Sequence, residues 1–293
     1  MFSLILVVIT QAIPFVLLAF GISISYHILR ATDMTIDGSF VIGAAVFARL
    51  VSLGYSPYLS AAAALLCGVC AGLLTAFIQR GGRVDSLLAG ILATFILSSV
   101  NLIIMDKPNI SLLASNTLLS DAFNKSDLSG WLLTAAYSFT LCFIIFCILR
   151  SKVGLTLRAF GDNPALLKRM GKNIEHYRMI GFALTNMLAA AAGCLTAQIV
   201  GYADVGMGFG MTLTGIGSII LGQHILRRVY KTSYFRTSAE FIACLIGVVL
   251  YFFSLNLLLR MDINPVYLKM ILGILLIIFL RAAVNNRFIG AAK

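Results

Sequence analysis

Long apolar runs, separated by short polar stretches, dominate the chain. They cover 4–29, 40–53, 58–78, 87–105, 131–149, 179–200, 212–226, 239–259 and 266–280. A helix needs roughly 20 mostly apolar residues to cross about 30 Å of hydrocarbon, and most of these runs approach or exceed that length. The second and the seventh are short for a full crossing, so the pattern predicts that they are tilted, broken or re-entrant. Within each run the apolar residues are continuous rather than alternating, which argues against barrel strands. Helices remain, because lipid offers no partners to backbone N–H and C=O groups. The prediction is an all-α, polytopic membrane protein with about 8–9 transmembrane helices, one short or broken.

Composition strengthens this reading. Hydrophobic residues make up 60% of the chain and charged residues 11%, against about one-quarter charged in soluble domains. Too few polar residues are present to clothe a soluble core of this size. Met1 to Thr10 carries no positive charge and reads as the start of a first span rather than a cleaved signal peptide. No repeat of 20–50 residues and no low-complexity linker is visible, so residues 1–293 read as a single transmembrane domain.

The net charge of +11 then acquires a different meaning from the one it would have in a soluble chain. The basic residues sit in short loops between spans, which is a sign of orientation and not of nucleic-acid binding. With the N-terminus outside, Arg30, the pair Arg80 and Arg83, the 150–178 loop, the 227–236 loop and the C-terminal tail all fall on the cytoplasmic side. The 150–178 loop holds Arg150, Lys152, Arg158, Lys168, Arg169, Lys172 and Arg178 against Asp162 and Glu175. The 106–130 loop, with Lys107 and Lys125 against Asp106, Asp121 and Asp127, falls outside. Nine crossings place the C-terminus in the cytoplasm.

The 150–178 loop also carries the clearest local signals. Asp162 or Asn163 can cap a helix that starts at Pro164, since proline is tolerated at the first helical position. Gly171 is a suitable stop after Lys168 and Arg169, whose charges favour a helix C-terminus. A short helix over 163–170 follows, with Ala165, Leu166 and Met170 available to a partner protein. The plainer alternative is a solvated basic connector.

Residues 31–40, Ala-Thr-Asp-Met-Thr-Ile-Asp-Gly-Ser-Phe, allow two readings. A discontinuous helix here would line a polar path. Alternatively, Asp37 or Ser39 caps the second span and Asp33 pairs with Arg30 near the surface. The glycine-rich 201–222 stretch suits close helix packing or a re-entrant turn and lacks the spacing of a dinucleotide fingerprint. Asp204 falls outside and reads as solvated. Asn101, Asn186, Gln198 and Thr214 lie inside spans, where interhelical hydrogen bonding competes with a role in a pathway.

Other chemistry is weakly represented. The six cysteines lie in apolar segments, and Cys67-x-x-Cys70 has no companion pair or nearby histidine, so it reads as helix packing. His27, His176 and His224 form no metal-ligand spacing, and no metal site is predicted. The sequence holds no catalytic triad pattern, no zinc-protease motif and no phosphate-binding loop that would hydrolyse ATP. An enzyme is therefore not expected.

Three segments resemble the permease subunits of ATP-binding-cassette importers in the branched-chain amino-acid and ribose group, nearest to permeases of tryptophan/tyrosine-type or unassigned-substrate systems. They are 32–45, with Thr-Asp-Met-Thr-Ile-Asp-Gly-Ser-Phe-Val-Ile-Gly-Ala-Ala; 154–171, with Gly-Leu-Thr-Leu-Arg-Ala-Phe-Gly-Asp-Asn-Pro-Ala-Leu-Leu-Lys-Arg-Met-Gly; and the glycine-rich 206–222. Leu167, Lys168 and Arg169 depart from the smaller or acidic residues of many relatives.

The resemblance implies a multi-pass protein of the prokaryotic plasma (inner) membrane that forms the translocation path for a small solute such as an amino acid. It implies cytoplasmic ATPase subunits that bind ATP, an extracytoplasmic solute-binding protein, a second permease copy in a homodimer, and surrounding lipid. No cofactor is expected in the chain itself. Gly161, Asp162, Asn163, Pro164, Ala165, Leu166, Met170 and Gly171 would form the coupling element. Asp33, Thr35, Asp37, Gly38, Ser39, Asn101 and Asn186 would sit at or near the path. The alternative is a self-sufficient secondary transporter or channel. It would need an ion-coupling acid deep in a span, and Asp33 and Asp37 both fall near a span end.

Overall fold

The computed structural model describes residues 2–82, 84–113, 115–120, 127–229, 236–261 and a few positions between 267 and 277. Most of the predicted last run, the C-terminal tail and most of the 227–236 loop lie outside the described residues.

Eight helices among the described residues are long and apolar enough to cross a membrane. α1 (Phe2–Ser23) runs into a π-helical turn, Ile24–Ile28. α2 (Thr35–Ser52), α3 (Pro57–Ile78), α4 (Ser86–Met105) and α5 (Asp127–Arg150) follow. Two short helices come next, α6 (Lys152–Asp162) and α7 (Pro164–Arg169), then the long α8 (Ile174–Val200). A 3-10 turn at Val205–Gly208 leads into α9 (Met211–Val229), and α10 is Arg236–Arg260. Two three-residue strands, β1 (Asn109–Ser111) and β2 (Tyr202–Asp204), pair antiparallel with Asn109 opposite Asp204.

The helices fall into an inner and an outer set. The spans containing α1, α2 and α8 are 67%, 78% and 67% buried, whereas those of α4 and α5 are each 28% buried. Leu92, Phe95, Ile103, Phe139 and Phe143 on the outer pair are exposed, as expected where lipid is the solvent for apolar side chains. The inner set and α3 pack backbone against backbone. A Cβ at Gly43 or Gly193 would overlap the carbonyl of Ala190 or Phe40, and one at Gly72 would overlap that of Phe182. Small residues allow membrane helices this approach, where burying apolar surface supplies no driving force.

The two ends of the bundle differ. At one end, Arg178 of α8 donates to the Gln79 carbonyl at 2.8 Å and to Glu175, and the Gly81 N–H donates to Glu175 at 3.3 Å. The basic loop over 150–178 lies at this end. The opposite end carries the β1–β2 pair and the Arg49–Asp106 ion pair at 3.8 Å.

Several expectations need correction. The second span starts at Thr35, five residues before the apolar run at 40, so Asp37, Gly38 and Ser39 are helical. Neither Asp37 nor Ser39 caps α2, because the first free N–H, that of Thr35, donates to Asp33 Oδ1 at 2.9 Å. Arg30 pairs with Asp162 and not with Asp33. Helix α6 was not anticipated. Its signal is Ser151, whose hydroxyl accepts from the Val153 N–H, ahead of an amphipathic stretch that buries Leu157 and Phe160.

Candidate functional site

Two helix N-termini meet inside the bundle, each held by an acid. α2 follows the non-helical 29–34 connector, and Asp33 in that connector is 2% exposed. Its Oδ1 accepts from Thr35 N–H, and its Oδ2 accepts from Asn186 Nδ2 at 2.8 Å. Asn186 lies near the middle of α8 and accepts in turn from Ser39 Oγ at 2.6 Å. Its amide also donates to the Phe182 carbonyl at 2.9 Å. Thr35 Oγ1 shares a 2.7 Å hydrogen bond with Thr75 Oγ1 of α3. Asp33, Thr35, Ser39, Asn186 and Thr75 thus form one buried network across α2, α3 and α8.

The second terminus belongs to α9. Asp37 Oδ2 accepts from Gly210 N–H at 3.0 Å, and Oδ1 accepts from both the N–H and the hydroxyl of Thr212 at 2.7 Å. An acid on α2 therefore caps a helix nearly 175 residues away in sequence. Helix N-termini carry unsatisfied N–H groups and a partial positive charge, so a carboxylate is well placed there. Gly208 fits against the Asp37 carbonyl, where a Cβ would overlap it. Among the described residues no Lys or Arg forms an ion pair with Asp33 or Asp37.

The structure brings the expected path residues together. Asn101 Nδ2 donates to the Gly38 carbonyl at 3.1 Å, which ties α4 to the first turns of α2. The same region holds two buried acceptors or donors without a hydrogen-bond partner, Asn101 Oδ1 and Thr185 Oγ1. Gln198 and Thr214 instead bond within their own helices, to the carbonyls of Cys194 and Met211. Thr75, Gly210 and Thr212 were missed by sequence reasoning. A lone Thr in an apolar run and a glycine turn carry no periodic signal, and only Asp37 at the opposite side of the contact was conspicuous. Asp204 is half-buried, not fully solvated, and accepts from Asn109 and from the Gly206 N–H.

The loop helix forms as its sequence signals indicate. Asn163 accepts from the Leu166 N–H at 3.2 Å and leaves Asp162 free for Arg30. At the other end Lys172 N–H donates to the Leu167 carbonyl at 3.0 Å and Gly171 N–H to the Lys168 carbonyl at 3.1 Å, with Gly171 at φ 71°. These are the two bonds of a Schellman stop. Leu167 is buried and roots the helix, while Ala165, Leu166 and Met170 are exposed, the last two at 50% and 66%. No group of His, Cys, Asp and Glu suited to a metal ion occurs among the described residues, and all six cysteines are free.

A family model described as the permease component of branched-chain amino acid transport systems matches residues 4–280. The chain belongs to this permease family. An uncharacterized protein of Rickettsia prowazekii (strain Madrid E) is 44% identical to the permease over 280 residues, covering 95% of this chain and 97% of that one. A tyrosine transport system permease protein of Clostridioides difficile (strain R20291) is 34% identical over 286 residues, covering 98% and 92%. A ribose import permease protein of Escherichia coli (strain K12) is 23% identical over 265 residues, covering 87% and 77%. The permease is thus the transmembrane subunit of an ATP-binding-cassette importer and forms the translocation path for a small solute; it is not itself an enzyme.

Proposed function

We propose that the permease imports an amino acid or a similar small solute across a prokaryotic plasma membrane as one of two identical copies. ATPase subunits dock on α7 and bind the ATP, and an extracytoplasmic binding protein delivers the cargo. The observation that carries this reading is the capped, rooted α7 with Leu166 and Met170 turned outward. Apolar residues held out by a rigid helix suit a groove on a partner. The concentration of Lys and Arg in the same loop supports a cytoplasmic position for it, with the N-terminus outside. The amino-acid class is supported by the similarity to the tyrosine permease.

In this reading the Asp33–Asp37 centre controls the path. Asn101 Oδ1 and Thr185 Oγ1 are available to a polar solute or its hydration water, because buried polar atoms seek partners. Co-purification of an ATP-hydrolysing subunit, followed by L-tyrosine uptake in proteoliposomes with that subunit and the binding protein, tests the proposal. The combined change Leu166→Asp and Met170→Asp is expected to release the ATPase while leaving the permease in the membrane. Full retention of the ATPase by that variant overturns the docking assignment.

A further inference from the structure

Helix α6 is seated directly on the turn that joins α1 to α2. Gly161, in its last turn, lies against the Ile28 carbonyl oxygen, and a Cβ there would overlap that oxygen. The adjacent Asp162 pairs with Arg30 at 2.5 Å. Arg30 holds φ 53°, a left-handed conformation that is uncommon outside glycine. The backbone around it is wound wider than an α-helix: Leu29 N–H donates to the Ile24 carbonyl and Ala31 N–H to the Ser25 carbonyl, both at 2.9 Å. Such departures persist where surrounding contacts hold them, and they concentrate at functional positions.

The same connector is held from its other side. Leu29 packs on Gly181 of α8, and the Thr32 carbonyl accepts from Ser86 Oγ of α4 at 3.0 Å. Asp33 comes next, and then Asp37, whose carboxylate holds the start of α9. The Gly161 contact leaves no room for a side chain, so a shift of α6 toward the connector presses on the Ile28 carbonyl. The Arg30 and Asp162 side chains are about half exposed. A pair so open to water adds little stability, but it links the left-handed turn to the end of α6.

We propose that Gly161 and the Arg30–Asp162 pair form a joint that carries movement of the α6–α7 hairpin into the 29–34 connector, and through Asp33 and Asp37 to the N-terminus of α9. The joint depends on the importer reading for its driving force and not for its geometry. Arg30 and Asp162 are positioning residues in this scheme, and no solute needs to touch them.

The test places a reporter at Leu213→Cys, an exposed position just after Thr212, in a full chain whose own cysteines are replaced by alanine. Its rate of reaction with a membrane-impermeant maleimide is measured in nucleotide-free membranes. Gly161→Ala, Arg30→Asp and Asp162→Arg are each expected to change that rate roughly three- to tenfold, the range of couplings carried through packed networks. The double reversal Arg30→Asp/Asp162→Arg returns it toward the starting value, and Arg30→Lys leaves it unchanged. Rates unaltered in the single variants, or not restored in the double reversal, overturn the joint. Addition of ATP to the whole transporter is read separately. A starting chain whose labelling ignores ATP refutes the importer reading, while the nucleotide-free comparison still decides the joint.

Discussion

The seam between α2, α3 and α8 and the α7 end of the hairpin use glycine and polar residues in opposite ways. In the seam, Gly43, Gly72 and Gly193 remove side chains so that backbones touch, and Asp33, Ser39 and Asn186 satisfy one another out of contact with solvent. In the hairpin, Gly171 supplies a left-handed stop and Asn163 a cap, and apolar Leu166 and Met170 remain outside. The seam is therefore where substitutions should cost stability. The α7 end of the hairpin is where they should cost recognition, because Leu167 is the one buried residue of α7.

The largest effect expected from this contrast is at Gly43. Gly43→Val drives two methyl groups into the Ala190 backbone and should destabilise by about 3 kcal/mol or more, beyond the usual range for overpacking because backbone cannot rotate away. Thermal unfolding in detergent, followed by gel filtration, reads this directly. Gly171→Val at the hairpin stop should cost only about 1 kcal/mol, the strain of a left-handed residue. The reverse ranking would break the comparison.

Asp37→Ala comes next. It leaves the Gly210 N–H, the Thr212 N–H and the Thr212 hydroxyl without their acceptor, a loss of about 2–3 kcal/mol. Uptake by this variant should fall further than its thermal stability explains. Asp37→Asn keeps one acceptor oxygen and should lie between. Normal uptake in Asp37→Asn would reduce Asp37 to a structural cap.

Asn163→Ala removes the cap of α7 and should cost about 1 kcal/mol locally. Hydrogen exchange confined to 164–170 would sharpen the picture by locating the loss in the hairpin. Smallest in stability is Leu166→Ala with Met170→Ala, expected within about 0.5 kcal/mol of the starting chain. ATPase co-purification should nonetheless weaken. A large stability loss would show that these side chains pack against the permease itself.

Much of the α7 hairpin was legible because its determinants are local. Asn163, Pro164 and Gly171 act within a few residues of where they stand. The preceding α6 was missed because its cap, Ser151, directly follows the end of a long apolar span, and the pattern there reads as a continuation of the loop. Around the starts of α2 and α9 the acids and amides stand out as polar residues in apolar surroundings, so the sequence singles out Asp33, Asp37, Asn101 and Asn186, which the structure joins to the hydrogen bonds there. Thr75 and Thr212 are not singled out, since threonine is common in membrane helices and its partners lie on other elements.

The sequence by itself determined that this is a polytopic helical membrane protein, with a capped helix in its basic loop and a run of polar residues before the second span. Continuous apolar runs and short-range caps are sufficient for that, because lipid penalises unpaired backbone and the caps act locally. Only the tertiary structure decided which carboxylate serves which helix. Asp33 turned inward to Asn186, Arg30 turned to Asp162, and Asp37 reached the start of α9. Each choice depends on which partner groups lie within hydrogen-bonding or ion-pairing distance once the helices have packed, and sequence spacing does not encode that distance.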